Sequence, residues 1–91
     1  MDVKDLRYFV AVYEAEGFSR ASRELGTVQS NVSARIAALE RRLGALLFKR
    51  QYRRLAPTDA ALKFRAASSD VVAALSSLER TMRRARRRVR R

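Results

Sequence analysis

The segment from Phe18 to Gly44 constrains the fold most, because it contains two helical patterns separated by a tight break. In the second pattern, apolar residues recur every three or four positions, at Val32, Ile36, Leu39 and Leu43. This spacing places them along one side of an α-helix. In the first pattern, Ala21 and Leu25 share a helical face, and Gly26 can end that helix. Two helices with so short a connection predict a helix-turn-helix, whose second helix enters the major groove of DNA.

Positive charge is concentrated in two parts of the chain. The 91 residues include 21 Lys and Arg against 9 Asp and Glu, a formal net charge of +12. Eight arginines and no acidic residue lie in residues 80–91, and seven basic residues against one acidic residue lie in residues 35–54. Such density favours binding to a polyanion through release of its counterions.

The composition argues against several classes of protein. The chain has no Cys and no His, so it lacks disulfides and the usual transition-metal ligands. At this length we expect one small domain, no metal, no cofactor and no enzymatic activity. The sequence has neither a secretory signal pattern nor a run of about 18 apolar residues, so we expect a cytoplasmic protein without membrane contact.

The N-terminal segment predicts an amphipathic helix from Val3 to Glu16, stopped by Gly17. Asp2 is the expected N-cap, and the apolar stripe consists of Leu6, Phe9, Val10 and Tyr13. Aromatic residues at helical spacing indicate a core face rather than a base-stacking platform. Ser19 is the expected N-cap of the short helix that follows.

A basic hairpin is predicted after Gly44. Residues 46–48 are apolar and favour a short strand or a closing turn over the core, with Leu55 as the expected return partner, and KRQYRR lies between them. A solvated loop is the alternative interpretation. Next to a candidate recognition helix, however, a basic hairpin is typical of a wing that contacts phosphates or the minor groove.

The remaining segment predicts one long helix that begins at Thr58, its expected N-cap. Its apolar positions alternate by four and three residues in a heptad seam with one polar interruption, at Phe64, Ser68, Val71, Leu75, Leu78, Met82, Ala85 and Val89. A helix about 50 Å long is too long to be covered by so small a domain, which favours pairing with a partner helix. The alternative is that only the first half packs and the arginine-rich end frays.

The sequence resembles the N-terminal winged helix-turn-helix domain of LysR-type transcriptional regulators over residues 1–78. The matching elements are LRYFVAV at 6–12, FSRASREL at 18–25, QSNVSARIAALERRLG at 29–44, LFKR at 47–50 and the helix start at Thr58. The resemblance implies a mainly α fold: three helices and a two-stranded wing in residues 1–57, then a linker and dimerisation helix in residues 58–91 with an arginine-rich end. It also implies a homodimer bound to double-stranded DNA, and a tetramer in a longer protein that carries a sensor domain.

The resemblance also implies roles for individual residues. Gln29, Ser30 and Ser33 lie where the family's recognition helix meets base edges and phosphates. Arg53 lies where its wing enters the minor groove, with Arg50 and Thr58 near the backbone. The full DNA-binding set that we predict is Gln29, Ser30, Asn31, Ser33, Ala34, Arg35, Arg50, Arg53, Arg54 and Thr58. The predicted dimerisation set is Phe64, Val71, Leu75, Leu78 and Met82.

This chain departs from the family pattern at four places. The family usually has Ser or Thr directly before the Gln, whereas here Thr27 precedes Val28, so the helix cap must shift to Thr27 or be lost. Asn31 stands where Pro or a small residue is common. Ala34 stands where Arg is common, with Arg35 following it. Ala61 stands where the family has a Gly near the start of its linker helix.

The sequence thus predicts the DNA-binding domain of a bacterial LysR-type regulator, isolated or truncated, acting in the cytoplasm at the nucleoid. One alternative is a basic nucleic-acid-binding or architectural protein without sequence preference. Another is an arginine-rich amphipathic helix that docks on an anionic membrane or an acidic partner. A palindromic DNA consensus would support the first hypothesis.

Overall fold

A computed structural model describes the backbone of residues 1–89 and the side chains of residues 1–87. The elements follow in the order α1 (Val3–Ala15), α2 (Phe18–Leu25), α3 (Gln29–Leu43), β1 (Phe48–Gln51), β2 (Arg54–Pro57) and α4 (Asp59–Val89). This order confirms the predicted mainly α class, with three helices, a two-stranded wing and a long C-terminal helix. Arg90, Arg91 and the predicted seam contact of Val89 lie outside these described parts. Within them, no helix is long and apolar enough to cross a membrane.

The ends of the first helices are set by local hydrogen bonds. Asp2 caps α1 as predicted: its Oδ1 accepts the N–H of Asp5 at 2.9 Å, and Asp5 Oδ2 accepts the N–H of Asp2 at 2.9 Å. The helix ends at Ala15, with Glu16 in the left-handed region at φ 57°. The prediction that Ser19 caps α2 is wrong, because Gly17 is the N-cap and α2 begins immediately at Phe18.

Phe9 lies at the centre of the hydrophobic core and is fully buried. Its ring centroid is 5.8 Å from Tyr13, 5.6 Å from Phe48 and 4.8 Å from Phe64, so the ring contacts the wing and α4. Buried aliphatic side chains of the other elements complete the core, including Val12, Val32, Ile36, Leu39, Leu47 and Leu55. Burial of these surfaces is the main stabilising contribution to the fold. Leu43, predicted to join this stripe, is exposed at the end of α3.

The wing is an antiparallel hairpin in which Arg50 pairs with Leu55. Of the two predicted possibilities for residues 46–48, a strand or a closing turn, only Phe48 lies in the strand, and Leu46 and Leu47 precede the ladder. The N–H groups of Leu47 and Phe48 donate to Glu40 Oε2 of α3, at 2.7 and 3.3 Å, instead of to a strand partner. The N–H of Leu55 donates to the carbonyl of Glu16 at 3.3 Å, which ties the hairpin to the end of α1.

The long helix α4 packs on the domain before it extends away from it. Thr58 is its N-cap as predicted, since its Oγ1 accepts the N–H of Ala61 at 3.2 Å. The side chain of Ala61 is fully buried, so the first turns of α4 share the core of the preceding domain. Farther along, Arg7 of α1 forms an ion pair with Glu79 at 2.7 Å. Residues 80–87 are exposed.

Candidate nucleic-acid interface

A groove between α2, the start of α3 and the wing brings the main candidate residues together. Gln29 at the first position of α3 lines it with Arg50 and Arg53 of the hairpin. Arg20 and Arg23 of α2 line the same groove. Four guanidinium groups, one amide and one carboxylate, that of Glu16, therefore line a single concave surface. Its excess of positive charge suits a polyanion whose bases carry hydrogen-bonding edges.

The exposed face of α3 carries small and polar side chains. Gln29, Ser30 and Ala34 are exposed, and Ser33 is half-buried, with its hydroxyl donating to the carbonyl of Ser30 at 3.2 Å. Short side chains on this face allow the helix backbone to approach another surface closely. The structure therefore leaves these four predicted residues on an accessible face.

Asn31 is directed partly toward the protein itself. Its Nδ2 donates to Thr27 Oγ1 at 3.0 Å and lies 3.4 Å from the hydroxyl of Tyr8 on α1. Thr27 therefore does not cap α3, whose N-cap is Val28 without a side-chain hydrogen bond. The sequence left open whether the side-chain cap of α3 shifts to Thr27 or is lost. In the structure it is lost.

Arg35 is held against α1 and does not line the groove. Its Nη1 donates to Asp5 Oδ1 at 2.7 Å, and its guanidinium lies 5.1 Å from the ring centroid of Tyr8. The pKa of the Asp5 carboxyl lies below its ordinary value, chiefly because the carboxylate accepts the backbone N–H of Asp2. Desolvation opposes this lowering, and the hydrogen bond and charge of the Arg35 guanidinium add to it. The Arg35 Nε is buried without a hydrogen-bond partner among the described residues. These contacts give Arg35 a role in joining α3 to α1, and its predicted contact with DNA stays a prediction.

The three wing arginines are exposed, and none forms an ion pair with the described residues. Arg50 and Arg53 face the groove, whereas Arg54 lies on the other side of the hairpin beside Tyr52. Tyr52, 94% exposed, and Arg53 form the tip of the hairpin with φ values of 51° and 68°. Non-glycine residues rarely adopt this left-handed region, so two large side chains at the tip of the turn are accompanied by local backbone strain.

Thr58 forms hydrogen bonds with the segment that leads into the wing. Its Oγ1 donates to the carbonyl of Leu46 at 2.6 Å, and its N–H donates to the carbonyl of Leu47 at 2.9 Å. Because the same hydroxyl also caps α4, most of its hydrogen-bonding capacity is used inside the protein. Thr58, predicted to lie near the DNA backbone, therefore also has a structural role in capping α4 and holding the start of the wing.

Sequence reasoning missed two basic residues, Arg20 and Arg23. Arg23 Nη1 donates to Ser19 Oγ at 3.3 Å, and Arg20 Nε lies 3.7 Å from a carboxylate oxygen of Glu24. The signal in the sequence was a pair of arginines three residues apart in the short helix before the recognition helix. Only the packing of α2 against α3 shows that they share the groove with Gln29.

The predicted dimerisation residues divide into two groups. Val71, Leu78 and Met82 are exposed, as a partner-facing seam requires. Phe64 and Leu75 are only half-buried within the monomer, and the Phe64 ring packs edge-on against Phe9. Phe64 thus contributes to the core of its own domain, and its predicted place in the seam stays a prediction.

Sequence comparison identifies relatives over most of the chain. The family model for the bacterial regulatory helix-turn-helix protein of the lysR family matches residues 3–62. The HTH-type transcriptional regulator BudR of Raoultella terrigena is 39% identical over 82 residues, which cover 89% of this chain and 28% of BudR. The Hca operon transcriptional activator HcaR of Escherichia coli (strain K12) is 39% identical over 87 residues, which cover 96% of this chain and 28% of HcaR. The chain thus spans less than a third of the length of these relatives.

Solved structures give the same result. The crystal structure of the BenM_DBD/catB site 1 DNA complex matches with a TM-score of 0.83 at 30% identity, over 92% of this chain and 94% of that chain. The CbnR_DBD–DNA complex matches with a TM-score of 0.73 at 31% identity, over 99% and 100%. Because the relatives are regulators, the prediction that the chain is not an enzyme is confirmed. The chain belongs to the LysR family of bacterial regulatory helix-turn-helix proteins and corresponds to their DNA-binding domain.

Proposed function

We propose that this chain binds double-stranded DNA at specific sequences, with α3 in the major groove and the wing in the minor groove. The observation that carries the proposal is the basic groove that joins Gln29 to Arg50 and Arg53. Two similar solved structures, those of BenM_DBD and CbnR_DBD, are DNA complexes, which supports the same use of this fold here.

Each part of the interface has a distinct role in this proposal. The Gln29 amide reads adenine through paired hydrogen bonds, and Ser30 and Ser33 offer hydroxyls to neighbouring groups in the groove. Arg53 enters the minor groove, and Arg50 binds phosphate. The other predicted residues either lie next to these DNA contacts or hold the contacting elements in place: Asn31, Ala34, Arg35, Arg54 and Thr58. Arg20 and Arg23 add phosphate contacts at the opposite wall of the groove.

In this proposal, residues 1–57 contact DNA and residues 58–91 form the dimer. Val71, Leu78 and Met82 form an exposed apolar row on α4, and a second copy of the chain would cover it. Two recognition helices held by a two-fold axis can occupy half-sites about one DNA turn apart. In a longer protein with a sensor domain, this unit would regulate transcription in the cytoplasm, at the nucleoid and as a tetramer.

Selection of bound sites from a random double-stranded DNA pool tests the proposal. The expected result is an inverted repeat with fixed spacing between its halves. A competing candidate is binding without sequence preference, which the exposed arginines of residues 80–87 favour. Recovery of salt-sensitive binding without a consensus would support that candidate and contradict specific recognition.

A further inference from the structure

Val28 is an apolar side chain in a position where a polar one is expected. It is the N-cap of α3, with φ −95° and ψ 153°, and its side chain is 65% exposed. Ser, Thr, Asn and Asp prevail at N-caps because their oxygen atoms accept the free N–H groups of the first helical turn. Valine has no such atom, so α3 begins without a side-chain cap.

Neither of the usual compensations for such a residue is present within the described chain. The Val28 side chain does not belong to the hydrophobic core, whose partly buried members also exclude it. The neighbouring Thr27 hydroxyl accepts the Asn31 amide at 3.0 Å and does not take over the cap. A residue that breaks a local rule without a structural gain is a candidate for a functional contact.

The place of Val28 indicates which contact this is. It directly precedes Gln29, which lines the basic groove at the start of the recognition helix. Among the four bases, only thymine presents a methyl group in the major groove, and apolar side chains distinguish thymine through it. If α3 enters the major groove, the exposed isopropyl group of Val28 at its N-terminal end is suited to this contact.

We propose that Val28 is a specificity residue that packs against the C5-methyl group of a thymine next to the base pair that Gln29 reads. This inference rests on the proposed specific DNA binding and adds a preference for thymine at one position of each half-site. Removing one methylene-sized group from such a contact changes affinity by about fourfold.

The test uses the selected DNA site with each thymine replaced, one at a time, by deoxyuridine, which lacks only the methyl group. For the parent protein, one deoxyuridine position per half-site should weaken binding about three- to fivefold. Val28→Ser should bind thymine and deoxyuridine equally at that position. Val28→Thr, which keeps one methyl group, should retain part of the discrimination. Leu46→Ser is the matched control, since Leu46 is 66% exposed but lies between α3 and β1, and it should discriminate like the parent.

Thermal unfolding separates recognition from folding. Val28→Ser and Val28→Thr supply the missing cap, so both should melt at or above the temperature of the parent. If no deoxyuridine position matters, or if Val28→Ser still discriminates, Val28 does not contact a thymine methyl group. Either result leaves specific DNA binding intact, because the failure of that proposal would already appear as the absence of a selected consensus.

Discussion

The carboxylate of Glu40 on α3 accepts the backbone N–H of Leu47 at 2.7 Å, where the chain turns from the recognition helix into the wing. The same oxygen lies 3.3 Å from the backbone nitrogen of Phe48. One side chain therefore satisfies two donors that have no strand partner and sets the direction of the hairpin. The distance between Gln29 and the wing arginines depends on this connection, because the hairpin carries Arg50 and Arg53 into the groove.

Replacing Glu40 with Ala should lower the free energy of unfolding by about 1 to 3 kcal/mol, since it leaves two N–H groups without an acceptor. Urea denaturation measures the change. Glu24→Ala is the control: Glu24 is exposed on α2, and its loss should change stability by less than about 0.5 kcal/mol. Similar losses in both variants would mean that the Glu40 contact does not hold the wing.

The Asp5 carboxylate should make stability depend on pH at the acidic end. Its pKa is lowered in the folded state, first by the Asp2 N–H and then by Arg35, so the folded protein favours the ionised form. This contribution is present above the unfolded-state pKa, near 3.8, and is lost as the pH falls through the lower folded-state value. Denaturation from pH 6 to about pH 2 should show a steeper loss for the parent than for Asp5→Asn. Asp70→Asn, at an exposed position on α4, should follow the parent.

Changing Gln29 to Ala should lower affinity for the selected site by about 1 to 3 kcal/mol and leave binding to random DNA almost unchanged. The reason is that an amide reading a base edge contributes only when the correct base is present. Ser33→Ala should act in the same direction. Gln51→Ala is the matched control, because Gln51 lies on the far side of the hairpin, away from the groove. Equal losses on specific and random DNA would reject base reading.

Replacing Arg50 and Arg53 together with Ala should flatten the salt dependence of DNA binding. The slope of log K against log salt is expected to fall by about 0.9 for each lost phosphate contact. The comparison variant removes Arg83 and Arg84, two exposed arginines on α4, and should keep the slope of the parent. If the second variant flattens the slope and the first does not, the arginine-rich end of α4 and not the wing binds the phosphates.

Replacing Val71 and Leu78 with Lys should yield a monomer, because charges introduced into an apolar seam would be desolvated and mutually repulsive. Both side chains are exposed in the single chain, so the domain should remain folded. Sedimentation measures the mass, and titration on a two-half-site DNA should show a large loss of affinity. Ala66→Lys with Ala73→Lys has the same seven-residue spacing on another face of α4 and should stay dimeric. A seam variant that also remains a dimer would place the interface elsewhere.

The features that the sequence determined by itself are those with local causes. Helix periodicity located α1 and α3, an acidic cap marked the start of α1 at Asp2, and Thr58 marked the start of α4. The basic run between apolar segments indicated the wing. These signals lie within a few residues of the structure that they specify, because capping, periodicity and turn formation depend on neighbouring residues. The start of α2 was predicted wrongly at Ser19, because its actual N-cap, Gly17, has no side chain and so gives no capping signal in the sequence.

Only the tertiary structure decided which long-range partner each side chain takes. Arg35 appeared from the sequence to face DNA, yet Asp5, thirty residues earlier, binds its guanidinium at 2.7 Å. Phe64 fitted a heptad seam, yet its ring lies 4.8 Å from Phe9. Arg20 and Arg23 joined the groove only through the docking of α2 against α1 and α3. The periodicity of a helix establishes which residues share a face, whereas the docking of whole elements determines what that face contacts, and docking depends on the shape of the complete core.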